Sequence, residues 1–371
     1  MKIIMLGSAH PLRGGLASFN ERLCIELQEQ GHDVTIYSFS LQYPSFLFPG
    51  KSQFSDEPAP SQLKIKTIVN SINPFNWLKV GWMMKKEKAD IIIVKFWLPF
   101  MGPCFGTILR IAKWGNATRI LSILDNVIPH EKRFGDKIFT QYFLKPIDAF
   151  VAMSKEVLKD IKSLSNKPAC YTPHPLYDNY GDTISRDEAL AKLGLNPQEK
   201  YMLFFGFIRK YKGLDWLLEA MSDPRIKALN IKLIVAGEFY TDQESYLALI
   251  QQYGLTDSVH LFTEFIPNSE VRNYFCAADV VVQPYKTATQ SGITQIAYHF
   301  EKPMIVTHVG GLAENVPDTK VGFVAAPNPS AIADAIMRFY TPNAIPNLQH
   351  NMQEAKEQYS WAKFVAQLLS L

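Results

Sequence analysis

Residues 204–213, Phe-Phe-Gly-Phe-Ile-Arg-Lys-Tyr-Lys-Gly, put two cations, Arg209 and Lys212, between a glycine that closes an apolar run and the start of a helical pattern. Tyr201 to Phe205 reads as a buried strand, Gly206 permits the turn, and Leu214, Leu217, Leu218 and Met221 recur at helical spacing. A strand-to-helix loop is where open α/β sheets bind ligands, and amide donors at a helix start add to the positive charge. The chemistry on offer is the holding of a diphosphate. An isolated R-x-x-K is more often a solvated basic loop, so its meaning rests on its neighbours.

Those neighbours are other polar loops after apolar runs. Arg119 to Leu124 leads into Asp125-Asn126-Val127-Ile128-Pro129-His130-Glu131. Asp125 suits a hydrogen bond to, or proton acceptance from, an acceptor hydroxyl; His130, a lone histidine after a proline, reads more readily as a turn residue. Ile3 to Leu6 is followed by Gly7 and then Gly14-Gly15 before a helix, which lets backbone come close to a bound group. No acid ends the next strand at Tyr37-Ser38-Phe39, so a dinucleotide fingerprint is missing. Gln283-Pro284-Tyr285 opens Lys286-Thr287-Ala288-Thr289-Gln290-Ser291-Gly292, a small polar run that exposes amides to an anion at a helix start and should face the Arg209–Lys212 loop. Met304 to Thr307 leads to His308-Val309-Gly310-Gly311-Leu312-Ala313-Glu314, glycines beside a carboxylate that fit a closely approached sugar.

The elements that position these loops alternate strand and helix along the chain. Ile3–Leu6, Val34–Phe39, Ile91–Phe96, Arg119–Leu124 and Ala149–Met153 are strand-like, separated by helical patterns at 16–30, 77–88 and 105–114. Tyr201–Phe205, Lys232–Ala236, Val259–Phe262, Val280–Gln283 and Met304–Thr307 repeat the scheme, with helices at 214–221, 243–253, 269–276 and 293–300. Near-continuous apolar strands alternating with helices specify parallel sheets covered on both faces. Residues 40–62, with four prolines among aromatics, read as a surface loop, and Lys167–Asp182 as an interdomain linker. The fold class is therefore α/β, two Rossmann-like doubly wound domains facing across a cleft. Their bounds are 1–178, completed by a C-terminal helix at 355–371, and 179–354.

At 371 residues the chain exceeds one ordinary core, and its 47% apolar and 20% charged composition is that of a soluble globular protein. A net charge of +3 with dispersed cations excludes nucleic acid as a partner. The four cysteines, Cys24, Cys104, Cys170 and Cys276, are too scattered for a zinc site or a disulfide framework. Ile3–Leu6 is too short for a signal-peptide core and Ala89–Met101 is broken by Lys95 and Pro99, so a cytoplasmic protein without a membrane span is expected.

Taken together, Gly206…Lys212-Gly213, Val235-Ala236-Gly237-Glu238, Pro284-Tyr285, Lys302-Pro303 and Gly310-Gly311-x-x-Glu314 resemble the retaining glycosyltransferases of family four, which have the GT-B fold. The resemblance spans the chain. It implies a nucleotide-sugar donor, UDP- or GDP-linked, held mainly by the C-terminal domain, an acceptor held mainly by the N-terminal domain, and neither metal nor cofactor. Arg209 and Lys212 would neutralise the donor diphosphate, with Asp125 and Glu314 completing the catalytic set. The donor-binding set is Gly14, Gly15, Gly206, Gly237, Glu238, Phe265, Ile266, Tyr285, Thr289, Gln290, Ser291, Gly292 and Gln295; Asn126 and His130 fall on the acceptor side. It also implies that the last helix, around Trp361, crosses back onto the N-terminal domain.

The chain departs from the family pattern in three ways. Phe207 stands where an arginine directly follows the glycine, so Arg209 must supply that charge. The family's paired glutamates fall by spacing from Pro303 on Ala288 and Ile296, leaving Gln290 or Gln295 to replace one contact. The strand-end histidine of many relatives corresponds to Asp125.

Trp77 to Lys88 mixes aromatics with lysines, and with the loop Phe46-Leu47-Phe48-Pro49 it suggests peripheral contact with the inner face of a membrane and a lipid-linked acceptor. The expected activity is transfer of a hexose to a glycan or lipid-linked acceptor in surface-polysaccharide assembly. A nucleotide-sugar epimerase on the same scaffold and a non-catalytic nucleotide-sugar-binding protein are the alternatives.

Overall fold

The computed structural model describes residues 1–44, 52–55, 57–128, 135–288 and 291–371. They divide into two compact units, Met1–Pro175 with Trp361–Leu371, and Leu176–Ser360.

The first unit runs β1 (Lys2–Leu6), α1 (Gly15–Glu29), β2 (Asp33–Leu41), β3 (Lys64–Asn70), α2 (Pro74–Glu87), β4 (Ile91–Phe96), α3 (Gly102–Lys113), β5 (Arg119–Leu124), α4 (Asp136–Leu144), β6 (Ala149–Ala152), α5 (Lys155–Leu164) and β7 (Ala169–Tyr171). Its seven strands are all parallel, in the order β3-β2-β1-β4-β5-β6-β7. The apolar run of β4 is buried at every position, and Phe96 stacks on Phe143 of α4 with centroids 4.1 Å apart.

The second unit runs α6 (Arg186–Leu193), β8 (Lys200–Phe205), α7 (Leu214–Met221), α8 (Pro224–Ala228), β9 (Ile231–Ala236), α9 (Gln243–Gln252), β10 (Val259–Phe262), α10 (Val271–Ala277), β11 (Val280–Gln283), α11 (Gly292–His299), β12 (Met304–Thr307), α12 (Leu312–Asn315), β13 (Gly322–Ala325), α13 (Pro329–Phe339) and α14 (Leu348–Glu357). Six parallel strands in the order β10-β9-β8-β11-β12-β13 form its sheet. In both sheets the strand order reverses beside the first strand, the point at which such folds leave a crevice at the carboxyl ends.

The chain then returns to the first unit as α15 (Trp361–Ser370), whose Trp361 and Phe364 pack on Phe19 of α1 at centroid distances of 5.2 and 5.9 Å. The continuous helix expected at 355–371 is two helices. The carbonyl of Tyr359 accepts from the amide of Leu176 and so leaves the helical ladder at that point.

Three edge strands escaped the sequence reading. β3 alternates lysines with apolar residues and is only partly buried, β7 is three residues long inside the stretch expected to be a linker, and β13 begins on a glycine. β2 extends to Leu41, into residues expected to be loop. Phe46 to Pro49 lie outside the described residues.

Candidate functional site

The loops after β8, β9 and β11 close on one another through backbone that tolerates no side chain. Gly213 has φ +69°, and a Cβ there would lie 2.0 Å from the carbonyl oxygen of Pro284. A Cβ on Gly237 would lie 2.4 Å from the carbonyl oxygen of Gly206. The amide of Lys286 donates to the Tyr211 carbonyl at 2.6 Å, and the Lys286 ammonium pairs with Asp215 at 2.5 Å. The expected juxtaposition of the Tyr285 loop with the Arg209–Lys212 loop is therefore present.

Lys212 closes a 3₁₀ turn, Lys210–Lys212, and its ammonium is drawn back over Gly206, where an added Cβ would stand 3.0 Å from Nζ. It lies 5.6 Å from the ring centroid of Tyr285 and is 9% exposed. No carboxylate or hydrogen-bond acceptor for it is found among the described residues. Burial, and then the neighbouring Arg209, pull its pKa down to about 7. A buried cation without a counter-ion is costly, a cost that a bound anion would offset. Arg209 is exposed, with its guanidinium carbon 5.0 Å from the centroid of the Tyr240 ring. Phe207 stacks on the same ring at 4.3 Å and 27°, and lies 6.3 Å from Phe265.

Of the other residues expected on the donor side, Tyr285, Ser291 and Gly292 lie nearest this centre. Tyr285 is buried, its hydroxyl 3.3 Å from Ser291 Oγ, and its phenol is pushed well above the usual range by burial. Ser291 caps α11, accepting from the amide of Ile293, and Gly292 packs against the Tyr177 ring, which a Cβ would meet at 2.7 Å. Ile293 Cδ1 would be 3.4 Å from a Cβ on Gly206, so the start of α11 borders the Lys212 pocket. Gln295 is buried on α11, and its side-chain oxygen has no hydrogen-bond partner among the described residues. Glu238 is buried beside Gly237, while Ile266 is half-buried after β10. Glu314 is exposed on α12. Thr289 and Gln290 lie outside the described residues.

In the first unit, Asp125 follows β5, its amide bonded to the Phe96 carbonyl, and its Oδ1 lies 3.3 Å from the ammonium of Lys95. Lys95 is 2% exposed on β4 and sits 3.3 Å from the centroid of Phe19. Its pKa is lowered by burial, against which Asp125 acts. His174 is buried next to Phe19 and held neutral by burial and by Lys95, its pKa near 3. Asn126 is half-buried, His130 lies outside the described residues, and Gly14 and Gly15 form the start of α1 in this unit.

Lys95, His174 and Tyr240 were not recognised as site residues from the sequence. For Lys95 the signal was present: a cation inside an apolar strand must have a reason to be there. Tyr240 and His174 give no such signal, since each acquires its neighbours only from tertiary pairing.

No helix among the described residues is long and apolar enough to cross a membrane. Residues 185–359 match the family described as glycosyl transferases group 1. The chain is 21% identical over 360 residues to a putative teichuronic acid biosynthesis glycosyltransferase, TuaC, of Bacillus subtilis, covering 91% of this chain and 89% of that protein. Sucrose-phosphate synthase from Thermosynechococcus elongatus superposes with a TM-score of 0.76 at 17% identity, covering 100% of this chain and 98% of that one. Anabaena HepE in complex with UDP gives 0.74 at 15% identity, with 100% of both chains covered. The two parallel-sheet units and their structural likenesses give the chain the GT-B fold, and with the match over residues 185–359 they make it a glycosyltransferase whose second unit resembles the group 1 enzymes.

Proposed function

We propose that the protein is a retaining transferase that moves a hexose from a UDP- or GDP-sugar to a glycan or lipid-linked acceptor in surface-polysaccharide assembly. The observation that carries this reading is Lys212, a buried ammonium with no counter-ion among the described residues, set against Gly206 and Tyr285. As the bond between the anomeric carbon and the diphosphate oxygen breaks, its electron pair goes to the leaving nucleotide. Lys212 and Arg209, with the amides at the start of α11, offset that charge as it grows. No metal or cofactor enters the scheme. Glu314 orients sugar hydroxyls, and Asp125, fixed by Lys95, serves the acceptor hydroxyl.

The name of the Bacillus subtilis relative, which refers to teichuronic acid biosynthesis, supports the polysaccharide role, and the UDP bound by HepE supports a uridine donor. Peripheral contact of α2 with a membrane surface belongs to the same reading. Trp82 (47% exposed) and, on the neighbouring α3 end, Trp114 (67%) present aromatic surface beside Lys85, whose ammonium is within 5 Å of both indoles, and Phe75 (83%) is exposed at the other end of α2.

Thermal denaturation in the presence of UDP-, GDP- and ADP-sugars tests the donor assignment, since a ligand of the native state raises its stability by mass action. A UDP- or GDP-sugar should raise Tm by several degrees; stabilisation by neither contradicts the reading.

A further inference from the structure

Arg209 and Tyr240 are brought together by a short extension of the sheet. The amide of Ile208 donates to the Glu238 carbonyl at 2.8 Å, the Ile208 carbonyl accepts from the Tyr240 amide at 2.9 Å, and Ile208 bridges Phe239 in parallel register. Side chains alternate sides along extended backbone, so Phe207 and Arg209 share the side opposite buried Ile208. Both meet the Tyr240 ring, Phe207 by stacking at 4.3 Å and Arg209 through its guanidinium at 5.0 Å. Arg209 has no carboxylate partner among the described residues, and an exposed arginine left to itself spreads over many rotamers.

We infer that Tyr240 is a positioning residue for Arg209, its ring holding the guanidinium aimed at the donor diphosphate while Phe207 holds the ring. This rests on the reading that Arg209 and Lys212 bind that diphosphate. A planar guanidinium lying on an aromatic face keeps its N–H edge free for phosphate oxygens, which an ion pair with an acid would not. Part of the ordering that a bound diphosphate requires is thereby complete before the ligand arrives. The ring is the working part, so phenylalanine should substitute for tyrosine and an aliphatic side chain should not.

The test is titration of the full-length wild type, Tyr240→Leu, Tyr240→Phe, Arg209→Ala and Arg209→Ala/Tyr240→Leu with UDP and GDP by calorimetry, and with uridine and guanosine by ligand-observed NMR. Tyr240→Leu should weaken the diphosphate about three- to fivefold, the range of an exposed cation–aromatic contact. It should leave the nucleoside unchanged, and Tyr240→Phe should match the wild type. In the Arg209→Ala background the Tyr240→Leu change should have no further effect. A loss of nucleoside affinity equal to that of the diphosphate, a Tyr240→Phe protein as weak as Tyr240→Leu, or full additivity with Arg209→Ala overturns the positioning role. If Arg209→Ala weakens UDP or GDP while Tyr240→Leu does not, only the positioning role falls. If Arg209→Ala has no effect, or neither diphosphate binds the wild type, the clamp itself falls and the role of Tyr240 with it.

Discussion

Lys95 Nζ lies 3.3 Å from Asp125 Oδ1, an ion pair whose cation is buried within β4 and whose anion is at the solvent-reaching end of β5. The pair asks more of the fold than it returns, because desolvating the ammonium offsets much of the attraction. Replacing both partners with apolar residues of similar volume, Lys95→Met/Asp125→Leu, is expected to leave stability unchanged or raise it by up to about 4 kcal/mol. Asp125→Asn leaves the ammonium without its partner and should cost roughly 3 kcal/mol, with a fall in turnover. Urea unfolding measures the first effect and steady-state transfer the second; Asp125→Asn working at the wild-type rate with its fold intact would remove Asp125 from the acceptor scheme.

Lys212 makes donor binding depend on pH. Its pKa in the folded protein is about 7, lowered by burial and then by Arg209. Between that value and the ordinary lysine range the unfolded chain binds a proton that the folded one does not. Stability from this group therefore rises with pH from about 7 upward, and is lowest below 7. Diphosphate binding favours the charged form, so affinity for UDP or GDP should fall from pH 7 to 9, with proton uptake at pH 8 seen as buffer-dependent binding heat. Lys212→Arg should flatten both; a wild-type affinity constant across that range would contradict the assigned titration.

Gly213 separates strain from collision. Gly115 has φ +71° with nothing within 4 Å of an added Cβ, whereas Gly213 at φ +69° would drive a Cβ into the Pro284 carbonyl. Gly115→Ala should cost about 1 kcal/mol, the left-handed penalty alone. Gly213→Ala should cost visibly more in the same urea titration and also weaken donor binding, because it parts the two loops around Lys212. Equal destabilisation would mean the loops are not held at that contact.

Much of this was legible beforehand, for a physical reason. β1, β4, β5, β8 and β9 are buried on both faces, and such strands write their burial directly into an apolar run. β3, β7 and β13 are edges: partly exposed lysines and a threonine break the run in β3, β7 is three residues long, and β13 is four residues beginning on a glycine. The Gly206–Lys212 loop and Tyr285 could be placed because glycine and charge at a strand end have local causes. The contacts of Tyr240 with Arg209 and of Lys95 with Phe19 depend on which elements become neighbours, which composition does not encode.

The exposed aromatics of the first unit give a separate test of membrane contact. Trp82 and Trp114 lie 6.2 Å apart with Lys85 over both rings. Wild-type protein should sediment with vesicles containing phosphatidylglycerol and less with phosphatidylcholine alone. Trp82→Ala/Trp114→Ala should lower the bound fraction severalfold without changing donor binding. Equal sedimentation of the two proteins would remove this surface from the proposal.

The most direct test of the central claim is calorimetric titration of wild type and Lys212→Ala with UDP and GDP at pH 7. Loss of a charge-assisted contact in a buried site should weaken binding of the cognate diphosphate at least tenfold while the apo protein becomes no less stable. Unchanged affinity in Lys212→Ala would contradict the diphosphate clamp.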